Sequence, residues 1–305
     1  MRRTWLPVLA AGVLALSACG SVPGSGVNRS ASAAPRGLAH GRHGYLYFLN
    51  YSVDHGAVMR VAVPGGRPRR VVRIGDSEVS GIAVAAGRLY WLAGVSSGQI
   101  VYVQLRGAPR IRVLVRHLGT SDALTAAGGW LYWVDDGRFV GRVRLDGSHL
   151  TRRFLDLRAF NPLNVAADRH YLYLSDCRNT IGRVDLVGRH FDPSFITLGQ
   201  DACPWGLTVG GQYLYWAEGG PPSYVGRAAL SGARPDDQWL NLHSLVAGFY
   251  VAADSHDVFF DWQWTTGSSP GEDLKIGRAQ TDGSYLRRYV WLGQGPFTLT
   301  SPGAG

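Results

Sequence analysis

Lysine is almost missing from this 305-residue chain. Of its 31 basic residues, 30 are Arg and the single Lys is Lys275. That skew reflects a GC-rich coding sequence more than a function. Cysteine is scarce too, at three residues. No apolar run after the first 16 residues is long enough to span a bilayer. The nine His residues fall into no metal-ligating spacing. H-E-x-x-H, a P-loop and a G-x-S-x-G in strand-turn-helix context are all missing, which removes the common zinc-protease, nucleotide-hydrolase and serine-hydrolase signatures. Helical periodicity is missing as well, and the pattern that takes its place repeats.

Six phrases recur: Leu46-Tyr47-Phe48, Leu89-Tyr90-Trp91, Leu131-Tyr132-Trp133, Leu172-Tyr173-Leu174, Leu214-Tyr215-Trp216 and Val258-Phe259-Phe260. Their spacings are 43, 42, 41, 42 and 44 residues. A strand-rich unit with a period in the low forties is the signature of a β-propeller. A second phrase keeps register with the first: Val140-Gly141-Arg142-Val143, Ile181-Gly182-Arg183-Val184, Val225-Gly226-Arg227-Ala228 and Ile276-Gly277-Arg278-Ala279, with looser copies at Val58-Met59-Arg60-Val61 and Val101-Tyr102-Val103. Turns such as Asp146-Gly147 and Asp282-Gly283 follow, because tight hairpins need positive φ and Gly adopts it at little cost. A charged alternating run comes next, and a small-residue stretch such as Gly81-Ile82-Ala83-Val84 closes each cycle.

Each unit therefore reads as a four-stranded antiparallel sheet. The small-residue strand is innermost, Leu-Tyr-Trp second, Gly-Arg third and the charged strand outermost. The predicted fold is all-β, a six-bladed β-propeller in which the aromatic face of each blade stacks on its neighbour and ring closure protects the sheet edges. The C-terminal strand Phe297–Thr300 is expected to complete the first blade, because it is apolar and alternates. Gly37–His40 competes for the same slot.

These phrases resemble the YWTD propeller, the six-bladed class B repeat of low-density-lipoprotein receptors. Trp133-Val134-Asp135, Leu174-Ser175-Asp176 and Trp216-Ala217-Glu218 keep its aromatic-x-acid form, and Leu145-Asp146-Gly147-Ser148-His149-Leu150-Thr151-Arg152-Arg153 is similar to its turn and basic strand. Trp91-Leu92-Ala93 lacks the acid, and no blade carries a complete Tyr-Trp-Thr-Asp. The resemblance spans about residues 40–302. It implies binding of a protein or small ligand on one face, and blade-to-blade hydrogen bonding by the acids that end the second strands. Propellers also serve lactonases and lyases, so fold alone leaves an enzyme open.

Residues 1–18 carry Arg2 and Arg3, an apolar core from Trp5 to Leu16 and small residues, the layout of an export signal. Leu16-Ser17-Ala18-Cys19 resembles the bacterial lipoprotein box, which implies that Cys19 becomes a lipidated N-terminus. A plain secretory signal is the alternative. Residues 19–36 read as a flexible Gly, Ser, Ala and Pro tether, and residues 37–305 as the propeller. The expected location is the extracytoplasmic face of a cell membrane, anchored by lipid, with an envelope protein or glycan as partner. The formal charge falls from +9 to +7 without Arg2 and Arg3. The Arg residues recur in every blade and form no concentrated stripe, which argues against a nucleic-acid partner.

Cys177 follows the second strand of blade four, and Cys203 precedes the innermost strand of the next sheet. Loops of those two types open on the same face, so an exported pair there is expected to form a disulfide. Closing this loop contributes about 3 kcal/mol in the chain-entropy model. Zinc ligation or a nucleophilic thiol would require partner His or Cys residues that are not nearby.

The same face collects the candidate ligand-binding residues Glu78, Asp122, Asn161, Asp201, Trp205 and Trp262. Asp76, Asn164, Asp135, Asp136, Asp176, Glu218, Asp261 and Trp264 lie in equivalent loops. Acids and amides converging on an axial funnel suit a divalent cation with oxygen ligands, although no cofactor is assigned. Off-repeat Trp residues suit a sugar ring or a protein partner. No catalytic residue is assigned. The reading is a non-enzymatic binding protein, with a metal-dependent lactonase-type enzyme or an envelope-assembly scaffold as alternatives.

Overall fold

A computed structural model describes residues 38–41, 44–50, 56–63, 66–75, 79–94, 98–200, 202–218, 223–242, 250–263, 274–284, 287–291 and 297–299. Cys19, Glu78 and Asp201 lie outside them, as do Asp76, Trp264 and the signal and tether segments. All the described residues fall in one compact unit spanning Ser32–Gly305. Among them there is no helix long and apolar enough to cross a membrane.

Among the described residues, twenty-five strands form six antiparallel sheets. Blade one holds β1 (Leu38–Gly41), β2 (Tyr45–Asn50), β3 (Ala57–Ala62) and β4 (Arg69–Arg73). Blade two holds β5 (Val79–Ala85), β6 (Arg88–Ala93), β7 (Gly98–Gln104) and β8 (Arg112–Leu118). Blade three holds β9 (Ser121–Ala127), β10 (Trp130–Asp135), β11 (Phe139–Arg144) and β12 (Thr151–Asp156). Blade four holds β13 (Asn164–Ala167), β14 (Tyr171–Asp176), β15 (Thr180–Asp185) and β16 (Asp192–Thr197). Blade five holds β17 (Pro204–Gly210), β18 (Tyr213–Glu218), β19 (Tyr224–Ala229) and β20 (Asp236–Asn241). Blade six holds β21 (Val251–Ala253), β22 (Asp257–Gln263), β23 (Leu274–Gln280) and β24 (Arg287–Trp291), and β25 (Phe297–Leu299) returns to blade one.

The two contenders for the closing strand both take part. β1 pairs with the first part of β2, from Gly41 opposite Tyr45 to Leu38 opposite Phe48. β25 pairs with the remainder, from Leu299 opposite Phe48 to Phe297 opposite Asn50. Each is too short to cover β2, so the N- and C-terminal strands share one edge. β1 also touches the innermost strands of blades two and six, which completes the circle.

Among the described residues the core forms six clusters, one at each blade interface. Successive side chains on a strand point to opposite faces, so in each second strand Tyr faces one way and its flanking Leu and Trp the other. Tyr90 packs with Leu131 and Trp133 of the next blade. Tyr132 meets Leu172 and Leu174, Tyr173 meets Leu214 and Trp216, and Tyr215 meets Val258 and Phe260. Phe259 meets Leu46 and Phe48, and Tyr47 meets Leu89 and Trp91, closing the ring.

The Gly-Arg phrase has two separate causes. A Cβ on Gly141 would sit 2.2 Å from the Trp133 ring, one on Gly226 2.2 Å from Trp216, and one on Gly277 2.1 Å from Phe260. The cross-strand aromatic lies flat on the third strand, and only Gly leaves room for it. The Arg that follows is held between rings. The Arg142 guanidinium lies 4.4 Å from the Trp130 ring and 3.8 Å from Phe154; Arg183 lies 4.5 Å from Tyr171 and 3.8 Å from Phe195; Arg227 lies between Tyr213 and Trp239. Its tip then crosses to the next blade: Arg142 Nη1 donates to the Leu186 carbonyl at 3.2 Å and Arg227 Nη1 to the Thr281 carbonyl at 2.6 Å.

Blade two achieves the same link with its residues exchanged. Arg88 occupies the position of Trp130, and Tyr102 the position of Arg142. Arg88 lies 4.9 Å from the Tyr102 ring and donates from Nη1 to the Leu145 carbonyl at 2.9 Å, beside the Tyr90 hydroxyl at 3.2 Å. Blade six replaces the aromatic by Asp257, whose Oδ2 accepts from Arg278 Nη2 at 2.7 Å.

Candidate functional site

The loops before each innermost strand and after each second strand lie at one end of the ring. Three features shape this loop face in blades two to five.

The first is a set of bulges. In β5, β9 and β17 the pairing with the second strand skips one residue, between Val79 and Gly81, at Ala123, and between Pro204 and Gly206. Bulges free a residue from the ladder and redirect its side chain at the rim of a barrel-like fold. Ala123 has a φ of 47°, a left-handed value unusual for a residue with a Cβ. Asp122, beside it, is partly buried. In β17 the residue left out of the ladder is Trp205, also partly buried.

The second is the set of hydrogen bonds between neighbouring blades near the bulges. Ser80 Oγ donates to the Ser121 carbonyl at 2.5 Å, joining blades two and three. Asn164 Nδ2 donates to the Trp205 carbonyl at 3.0 Å, joining blades four and five. Asn161 lies in the loop leading to β13, and its Oδ1 is 3.1 Å from the position a Cβ would take on Gly137. Asp122, Asn161 and Trp205 thus sit on, or next to, three consecutive innermost strands at the same end. Trp262 lies on β22 opposite Lys275, a blade away from Trp205.

The third is the Cys177–Cys203 disulfide, with Cα atoms 4.2 Å apart and a sequence separation of 26. It ties the loop after β14 to the strand that carries Trp205. Asn179 reinforces the tie, donating its backbone N–H to the Ala202 carbonyl at 3.1 Å.

Three of the second-strand acids accept hydrogen bonds inside their own blades. Asp135 accepts from Ser121 Oγ at 2.8 Å, Asp176 from the backbone N–H of Arg178, and Asp261 from that of Tyr250 at 2.8 Å. Ser80 and Asn164 supply side-chain links between blades on this face. Burial raises the Asp135 carboxyl above its ordinary range, opposed by the Ser121 hydrogen bond. Burial also raises Glu218, helped by the negative charge of Asp237, and Glu218 Oε1 is buried without a hydrogen-bond partner. Among the described residues no three His, Cys, Asp or Glu side chains converge as a metal-ligand group.

An ion-pair network near the outer rim of blade three is not apparent from the repeat. Asp156 accepts from Arg138 Nε at 2.8 Å and Nη2 at 2.9 Å, and from Arg158 Nε at 3.0 Å. The Arg138 hydrogen bond is the main reason the Asp156 carboxyl is lowered to about 2. The aromatic-x-acid repeat draws attention to the second strand, whereas these residues lie at the ends of the third and fourth.

No protein-family model matches the chain, and no curated protein matches it. Solved structures do. The chain is similar to a propeller in the crystal structure of a nidogen/laminin complex, with a TM-score of 0.64 and 16% identity over 83% of this chain and 97% of that one. TolB from Acinetobacter baumannii matches with a TM-score of 0.64 and 11% identity over 85% of this chain and 67% of that one. A gluconolactonase from Xanthomonas campestris matches with a TM-score of 0.55 and 16% identity, over 75% and 84%. At these identities the shared property is the six-bladed fold.

Proposed function

We propose that this protein is a lipid-anchored extracytoplasmic β-propeller that binds a protein or glycan partner through the loop face of blades three to five, without catalysing a reaction. The observation that carries this reading is the setting of Trp205. A large ring on an innermost strand is released from the ladder by a bulge, latched to the neighbouring blade through Asn164 and braced by a disulfide. Held in this way, an aromatic loses little freedom on binding, and preorganised aromatics dominate recognition energetics. The nidogen and TolB likenesses are compatible with a protein partner.

Lipidation rests on Leu16-Ser17-Ala18-Cys19 and its resemblance to the lipoprotein box. Mass spectrometry of the mature N-terminus is expected to find acylated Cys19, and Cys19→Ala is expected to release the protein from the membrane fraction. Partner binding is tested by chemical cross-linking in intact envelopes. Trp205→Ala is expected to remove a cross-linked species that the parent chain forms, at an unchanged melting temperature. A cross-linking pattern identical in parent and variant would place recognition elsewhere.

Glu218 supports a second reading, because an orphaned buried carboxylate oxygen on this face is a natural oxygen ligand. A divalent cation held there would serve the lactonase-type alternative. It would raise the melting temperature on Ca²⁺ or Mn²⁺ titration, and Glu218→Gln would abolish that rise.

A further inference from the structure

The outer strands divide the ring by charge. β4 carries Arg69, Arg70 and Arg73, and β8 carries Arg112 and Arg116, with no acid on either. β12 carries Arg152 and Arg153 against Asp156. β24 carries Arg287 and Arg288. The outer strands of the two remaining blades are acidic, with Asp192 on β16 and Asp236 and Asp237 on β20. Basic outer strands therefore run without interruption through blades six, one, two and three. The sequence agrees: residues 55–75 and 79–121 contain no Asp or Glu. The recurrence of Arg in every blade hides this division, because third-strand Arg residues such as Arg142, Arg183 and Arg227 are held between rings, whereas the outer-strand charges differ from blade to blade.

Within the basic arc the surface is not purely polar. Ile111 is 47% exposed, Val113 38% and Leu150 40%, and exposed Arg110 and Arg112 alternate with the first two. Arg67, Arg69 and Arg106 are exposed in the adjoining turns and strand start. All lie toward the end of the ring opposite the loop face, where the third and fourth strands join. Along their outer strands, blades two and three are joined by Arg152. Arg152 donates from Nη1 to the His117 carbonyl and from Nη2 to the Arg116 carbonyl, both at 2.8 Å.

We infer that this arc docks on an anionic lipid bilayer. Guanidinium groups are attracted to the negative surface potential of such a bilayer within about a Debye length. A hydrated acidic polymer would satisfy the same charges, yet it gives exposed Ile and Val nothing to bury in. A bilayer interface does, since apolar side chains partition into the boundary between headgroup and acyl chain. The arc and the loop face lie at different ends of the ring, so docking leaves the proposed partner face open. The inference does not depend on lipidation.

The test uses the full chain carrying Cys19→Ala, so that an acyl anchor plays no part. Sedimentation with phosphatidylglycerol-containing vesicles is compared with pure phosphatidylcholine vesicles. Arg67→Ser, Arg69→Ser, Arg110→Ser and Arg112→Ser combined are expected to weaken binding to the anionic vesicles by about tenfold or more. Binding to phosphatidylcholine should not change, and the melting temperature should not either, because every altered side chain is exposed. Ile111→Ser with Val113→Ser is expected to weaken vesicle binding several-fold while leaving binding to soluble poly(glycerol phosphate) unaltered. Equal binding of the parent and the Arg variant to anionic vesicles would overturn the inference. So would an Ile111 and Val113 variant that binds vesicles as the parent does, since the arc would then be reading charge on a polymer.

Discussion

At the scale of single residues, the repeat is governed by steric room under one ring. Gly226 is required because the Trp216 indole occupies the volume a methyl group would fill. Gly226→Ala is expected to cost about 3 kcal/mol, the upper end of the usual penalty for overpacking, measured by urea denaturation. Gly182→Ala should cost less, because Leu174 replaces the Trp in that blade and the nearest atom, on the Phe191 ring, is 3.0 Å from the added Cβ. Charge acts at this scale too. Asp156 has its carboxyl lowered from 3.8 to about 2, chiefly by Arg138 and then by Arg158. Because the folded value lies below the unfolded one, its contribution is present above about pH 4 and is lost as pH falls toward 2. Asp156→Asn is therefore expected to flatten that part of the acid-unfolding profile and to change little near neutrality, where an exposed ion pair is worth little.

At the scale of the strand and blade, what matters is a geometry that more than one sequence satisfies. Four blades place an Arg after Gly on the third strand; blade two places Arg88 on the second strand and Tyr102 on the third, and still delivers a guanidinium to the next blade's carbonyl. Arg88→Tyr or Tyr102→Arg alone is expected to destabilise the fold by about 1–2 kcal/mol, through a lost cation–π contact and a lost hydrogen bond. The double exchange should recover most of that loss, giving a coupling energy of at least about 1 kcal/mol in a double-mutant cycle. This explains why the period, the strand roles and the Cys177–Cys203 pair were legible in the sequence, while the blade-two link was not. Periodicity reports which residue types recur at a position. It does not report an exchange across paired strands that preserves the contact. The bulge at Trp205 was equally hidden, because a skipped residue appears only when two strands are set in register. Trp205 stood out for another reason, as an aromatic outside the repeat.

At the scale of the whole molecule, the ring depends on one blade that is different from the other five. The other five blades are each made from continuous sequence, whereas blade one is assembled from both ends of the propeller, β1 and β25 sharing β2. Closure buries two apolar sheet faces that an open stack would expose, and it couples all six apolar clusters into one cooperative unit. The competition between Phe297–Thr300 and Gly37–His40 could not be decided from apolarity and alternation, because each segment supplies only part of a strand. Calorimetry of a chain lacking residues 296–305 tests the closed ring most directly. The closed ring predicts one unfolding transition, shifted down by many degrees relative to the parent. An unchanged melting temperature, or a parent chain that unfolds blade by blade in separate steps, would contradict it.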